Sequence, residues 1–223
     1  MTRLVVVAHG TRHRVGNRVA VEIAAAAGRR LGMPAVAAYV ELCEPLLADL
    51  LAAGAEPTIV VPLLLSTGYH VRVDLPAAVA GAAGPATLAA PLGPDPLLAR
   101  AQVVRLRAAG ARPGQPVTMV AAGSNDPAAT VDLHTAADLL CGAWGAPVRL
   151  ATLAGHGPRP EQVLRPGDAV SPYLLAPGHF ADRAGRLTGH GADVVATPIG
   201  SHPALVDLIA LRAGTRTAVS LAG

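Results

Sequence analysis

The chain repeats itself, and the repeat limits its possible folds more than any other feature. Val117-Thr118-Met119-Val120-Ala121-Ala122-Gly123-Ser124-Asn125 echoes Leu4 through Arg12. Ser171 through His179 echoes Val61 through His70, with one residue fewer before the histidine, and Thr197 through Leu205 echoes Ala90 through Leu98. Copies of about 105 to 110 residues each are of normal domain size. Two similar lobes are therefore expected, one over 1–110 and a degenerate copy over 117–223. Gly110-Ala111-Arg112-Pro113-Gly114-Gln115-Pro116 links them.

Within the first copy, apolar runs alternate with helical patterns. Residues 3–8 read as a strand, and a helix follows from Asn17, placed to cap it, to Leu31, with Gly32 as its stop. Val36 to Val40 is a second strand. Pro45 then opens a helix that ends at Gly54, and 58–65 is the third strand. A short helix over Asp74 to Ala80, a weak strand at 86–89 and a helix from Asp95 to Ala109 complete the copy. Runs such as Val60 through Leu65 lack alternation, as in strands buried on both faces of a parallel sheet. The β-α-β-α order predicts α/β lobes, each a parallel sheet flanked by helices.

Ligands of such sheets bind beyond the carboxyl ends of the strands. The first strand ends in His9-Gly10-Thr11-Arg12, and the third in Ser66-Thr67-Gly68-Tyr69-His70-Val71-Arg72-Val73-Asp74. Two buried strands thus deliver a histidine each to one sheet edge. Glu41 closes the second strand at that edge. The second copy has Ala122 where His9 stands, and its His179 is a vestigial counterpart of His70. One active site is expected, carried by the first lobe and facing a cleft between the two. Glu44, just before Pro45, is expected to cap the second helix.

Composition removes several classes. All 18 basic residues are arginine. Without a lysine there is neither a P-loop lysine nor a Schiff-base amine, so chemistry without nucleotide is expected. The net charge of +3 is too small to argue for nucleic acid. Cys43 and Cys141 are too few for a zinc knuckle and read as small buried residues. No apolar run reaches the roughly 18 residues of a membrane span, and the N-terminus has no signal-peptide layout, so a cytoplasmic location is expected.

His9-Gly10-Thr11-Arg12, Glu41-Leu42-Cys43-Glu44-Pro45, and Pro62 through Leu65 with Gly68-Tyr69-His70-Val71 and Asp74-Leu75-Pro76 resemble the class II chelatases. These are the sirohydrochlorin ferrochelatases and cobaltochelatases, here in their long, two-repeat form. Thr11 replaces that family's usual serine and keeps the hydroxyl. The resemblance implies a tandem chelatase-like fold, a cyclic tetrapyrrole substrate, a divalent metal and no nucleotide.

The chemistry suits the residues. Neutral imidazole ligates Fe²⁺, Co²⁺ or Ni²⁺ and accepts protons near neutral pH. His9 and His70 are thus expected to hold the ion over the ring and take up pyrrole protons, with Glu41 as a third ligand or proton acceptor. Arg12 and Arg72 are placed to meet substrate carboxylates, Thr11, Ser66 and Thr67 to add hydroxyl contacts, and Tyr69 to pack on the macrocycle. The plainer alternatives are a strand-end histidine bonded to a loop carbonyl, a solvated Glu41, and arginines paired with acids such as Asp74. Insertion of Fe²⁺ into sirohydrochlorin is the expectation, with Co²⁺ or Ni²⁺ as other metals and a monomer as the simplest assembly. A metal or tetrapyrrole carrier is the non-enzymatic rival. A histidine-phosphatase reading lacks its phosphate-binding arginine, because Ala8 precedes His9.

Overall fold

The computed structural model describes residues 1–214. In the first half, strands β1 (Arg3–Ala8), β2 (Ala35–Tyr39), β3 (Thr58–Pro62) and β4 (Ala86–Leu88) alternate with helices α1 (Arg14–Leu31), α2 (Leu47–Ala53) and α3 (Leu75–Ala80). After α4 (Pro96–Ala108), the second half brings β5 (Val117–Ala121), α5 (Pro127–Trp144), β6 (Val148–Thr152), α6 (Pro160–Val163) and β7 (Ala169–Tyr173). It ends with α7 (His179–Gly185), β8 (Val194–Val195) and α8 (Pro203–Gly214).

Two four-stranded sheets result, ordered β2-β1-β3-β4 and β6-β5-β7-β8, and every pairing is parallel. Leu4, Val5, Val6 and Val7 are wholly buried, as expected of a central strand covered on both faces. Val5, Val7, Ala38 and Val60 pack with Leu47, Leu51 and Leu75 into one core of the first unit. The second unit has its own core of Val120, Ala151, Leu153, Val170, Ala184 and Leu187.

The repeat is also written in the backbone. Glu41 N–H donates to the His9 carbonyl at 3.1 Å, and Ala154 N–H to the Ala122 carbonyl at 2.8 Å. Leu92 N–H donates to Leu64 O at 3.0 Å, and Ile199 N–H to Leu174 O at 2.9 Å. Each copy thus extends its strand ends by the same bonds.

The boundaries differ from the expected 1–110 and 117–223. One compact unit comprises Met1–Leu92 with the chain from Leu205, and the other Gly93–Ala204. Helix α4 packs on α5 and β7, where the buried Gln102 amide donates to Ser171 Oγ at 2.9 Å and Arg105 Nη2 to Ile199 O at 2.8 Å. Helix α8 returns to the first unit, where Arg30 Nε meets Asp207 Oδ1 at 3.1 Å and Arg212 Nε donates to Pro91 O at 3.0 Å. Packing decides the ownership of a helix; the Gly/Pro-rich linker does not.

Four local expectations change. Helix α1 begins at Arg14, and Asn17 does not cap it. Helix α2 begins at Leu47, because Pro45 offers its carbonyl to Tyr39 N–H at 3.0 Å and Leu46 is extended. The Glu44 carboxylate accepts from Leu46 N–H at 3.1 Å, one residue before that helix. Strand β3 stops at Pro62, and a five-residue π turn, His70–Asp74, precedes α3. Asp95 does cap α4, accepting from Leu97 N–H at 2.9 Å. Among the described residues, no helix is long and apolar enough to cross a membrane.

Candidate metal centre

Gly10 sets the first side chain. Its φ of +96° is left-handed, and a Cβ added there would lie 1.9 Å from the Glu41 carbonyl oxygen. Only glycine lets the two loops touch, and this contact puts His9 beside Glu41. Asn17 pins the same loop. Its Oδ1 accepts from Thr11 N–H at 3.1 Å, and its Nδ2 donates to Thr11 O at 2.7 Å. Tyr39 Oη in turn donates to Asn17 O at 3.1 Å. Burial, reinforced by the neighbouring Cys43, raises the Tyr39 pKa and keeps this hydroxyl a donor.

The third side chain arrives from β3. Leu63 N–H donates to Val7 O at 2.7 Å, a loop follows, and the chain enters the π turn at His70, closed by Leu75 N–H on His70 O. The His9 and His70 rings meet edge to face with centroids 4.7 Å apart. His9 Nε2 lies 3.3 Å from Glu41 Oε1. One potential ligand atom from each of His9, Glu41 and His70 falls within 4.8 Å of the others. Among the described residues, this is the one place where three such side chains converge.

The partners of the two rings differ. His9 Nδ1 is 3.2 Å from the Gly10 carbonyl oxygen and His70 Nδ1 is 2.6 Å from Asp74 Oδ2. The Asp74 oxygen only accepts, so at His70 the hydrogen sits on Nδ1 and Nε2 presents a lone pair. At His9 both ring nitrogens face acceptor oxygens, and that of Nε2 belongs to the Glu41 carboxylate. Two electron-rich atoms so placed repel unless a proton or a cation lies between them.

The centre is open. The side chains of His9 and Glu41 are 46% and 50% exposed, and that of His70 is 30% exposed. Three ligands with solvent access leave room for an incoming group, unlike a closed structural site. Beside it, Glu41 and Asp74 line a pocket of about 470 Å³ with Val40, Leu47, Leu75 and Ala78.

The remaining expected site residues lie on the segments that carry His9 and His70. Tyr69 is exposed, with its ring centroid 6.3 Å from that of His70. Arg12 and Arg72 are exposed, and Ser66 and Thr67 are half-buried in the loop before the π turn. Thr11 Oγ1 accepts from His13 N–H at 3.1 Å. Asp74 was expected to begin a helix, or to pair with a nearby arginine, and its spacing of four from His70 was the signal for more. Leu42 is the one non-glycine with positive φ among the described residues, at +65°, and nothing in its side chain announces that. The second unit has the backbone of the site without its ligands. Gly123 (φ +89°) packs on Ala154 O as Gly10 does on Glu41 O, but the flanking residues are Ala122 and Ala154. His179 is exposed at the start of α7, with its ring 5.4 Å from Phe180.

The family model CbiX matches residues 3–109. The CbiX match therefore covers the first sheet and all three converging side chains. Solved structures of similar fold extend over the whole chain. SirB from Bacillus subtilis with Fe³⁺ has a TM-score of 0.81 at 24% identity, over 95% of this chain and 93% of that one. The sirohydrochlorin chelatase SirB from Bacillus subtilis subspecies spizizenii, in complex with cobalt, gives 0.79 at 22% identity over the same shares of 95% and 93%. CbiX, described as the terminal enzyme for siroheme biosynthesis in denitrifying bacteria, gives 0.71 at 21% identity, over 95% of this chain and 97% of that one. No curated protein matches the chain in sequence.

Proposed function

We propose that the protein is a chelatase that inserts a divalent metal ion into sirohydrochlorin without a nucleotide. The convergence of His9, Glu41 and His70 at the carboxyl ends of three parallel strands carries this reading. The CbiX match over these residues and the sirohydrochlorin chelatases of the same fold agree with it.

Metal and macrocycle are both substrates. An incoming ion exchanges water for the two Nε2 atoms and a Glu41 oxygen, and is held at the exposed side of the centre. Three ligands leave further coordination positions open to pyrrole nitrogens. As the ring nitrogens take the metal, two N–H protons leave for each ion inserted. The same Nε2 atoms and carboxylate, freed by the departing ion, are the acceptors within reach. Charge thus balances without ATP: M²⁺ enters and two H⁺ depart. Arg12 and Arg72 are assigned to substrate carboxylates, Thr11, Ser66 and Thr67 to polar contacts, and Tyr69 to the macrocycle's face.

Fe²⁺ is the favoured metal, with Co²⁺ and Ni²⁺ as alternatives, since imidazole and carboxylate suit all three. The test is an insertion assay of each metal against sirohydrochlorin with purified protein, followed by the change in macrocycle absorption. Turnover well beyond one equivalent supports a chelatase; a halt at one equivalent supports a carrier.

A further inference from the structure

Asp74 immediately precedes α3, where an aspartate commonly caps a helix, yet its side chain caps no amide there. Its Oδ2 lies instead 2.6 Å from His70 Nδ1. The two residues are the ends of the π turn, closed by Leu75 N–H on His70 O. A π turn holds more residues than an α turn, so positions i and i+4 stand nearly in line along its axis. That geometry lays the carboxylate against the imidazole.

The consequence reaches the metal centre. A carboxylate accepts and cannot donate when ionised, so it fixes the hydrogen on Nδ1, sets the plane of the ring and leaves Nε2 as a lone pair. Such carboxylate–imidazole pairs also make the far nitrogen a better donor to a metal. We propose that Asp74 is a positioning residue: it holds His70 so that Nε2 points into the space shared with His9 and Glu41. This rests on the chelatase reading above and adds a residue to it. In this role Asp74 acts through His70 and is not itself a metal ligand.

The test uses the full-length protein with Co²⁺ as probe, read by its visible absorption bands, together with sirohydrochlorin insertion kinetics. Asp74→Ala is expected to weaken Co²⁺ binding by about 10- to 100-fold. It lowers kcat and leaves the KM for sirohydrochlorin unchanged. Asp74→Asn keeps an acceptor oxygen in place and is expected to recover most of the Co²⁺ affinity. In a His70→Ala background, Asp74→Ala is expected to add no further loss. Wild-type Co²⁺ spectra and affinity in Asp74→Ala would overturn the role, as would an equal loss from Asp74→Ala with and without His70. Wild-type Co²⁺ binding and turnover in His70→Ala is a different result: it would remove the chelatase reading itself.

Discussion

The His9 and His70 rings stand at 88° with centroids 4.7 Å apart, but they are not held alike. A carboxylate holds His70 Nδ1 at 2.6 Å, whereas His9 Nδ1 has a neutral carbonyl at 3.2 Å. His9 is also the more exposed, 46% against 30%. An ion bound between them therefore has one firm ligand and one loose ligand. That asymmetry suits a site that must surrender its metal.

The two histidines should consequently fail differently. His70→Ala is expected to lose more Co²⁺ affinity than His9→Ala, with the gap about tenfold. Both should lose most insertion activity, and both should keep the wild-type fold, since neither side chain is part of a buried core. Co²⁺ titration and circular dichroism of the two variants check this. Equal affinities would remove the division of labour.

Gly10 and Gly123 make a matched pair for stability. In each, an added Cβ would come within 1.9 Å of a carbonyl oxygen at a left-handed φ. Gly10→Ala and Gly123→Ala should each cost about 2–4 kcal/mol in denaturant unfolding. Only Gly10→Ala should also weaken Co²⁺, because Glu41 stands at that contact and Ala154 at the other. A Gly123→Ala protein with weakened Co²⁺ binding would contradict the assignment of the site to the first unit.

Leu42, at φ +65°, is strained, and 51% of its surface is exposed. Leu42→Gly removes a left-handed penalty of about 1–2 kcal/mol, and greater freedom in the unfolded chain offsets about 0.5–1 kcal/mol of it. Urea unfolding should find the variant as stable as wild type or slightly more so. A loss above about 1 kcal/mol would show that the side chain supports the fold.

His202, in the second unit, adds a pH dependence of its own. Its Nδ1 accepts from Ala204 N–H at 3.2 Å, at the start of α8. Burial first, and the Arg105 charge second, lower its pKa from the ordinary value of 6.5. The unfolded chain therefore takes up this proton before the folded one does. The contribution to stability is complete above pH 6.5 and declines as pH falls through the depressed folded value. His202→Asn keeps an acceptor that does not titrate, so its stability should fall less than that of wild type between neutral and acid pH. Parallel unfolding profiles would contradict this.

Much of the site was legible in the sequence because it depends on strand ends. Buried runs such as Leu4–Val7 mark central strands, and a polar residue directly after one lies at the carboxyl edge. His9 and Glu41 were found in this way, and His70 from the polar loop that follows the third strand. The π turn was not, because no side-chain period distinguishes it from the start of α3, and with it went the meaning of Asp74. Asn17 fits a helix cap by composition, but the left-handed Gly10 brings the Thr11 backbone to its amide. The ownership of α4 and α8 also lay beyond the sequence. Leu98, Ala101 and Leu106 show that α4 buries a face, but not which sheet receives it.

The most direct measurement is Co²⁺ insertion into sirohydrochlorin by wild type, His9→Ala and His70→Ala, without nucleotide, counting product formed per enzyme. The expected result is many turnovers for wild type and a loss of about 100-fold or more in each variant. Product that stops at one equivalent, or either variant at the wild-type rate, would contradict insertion through this centre.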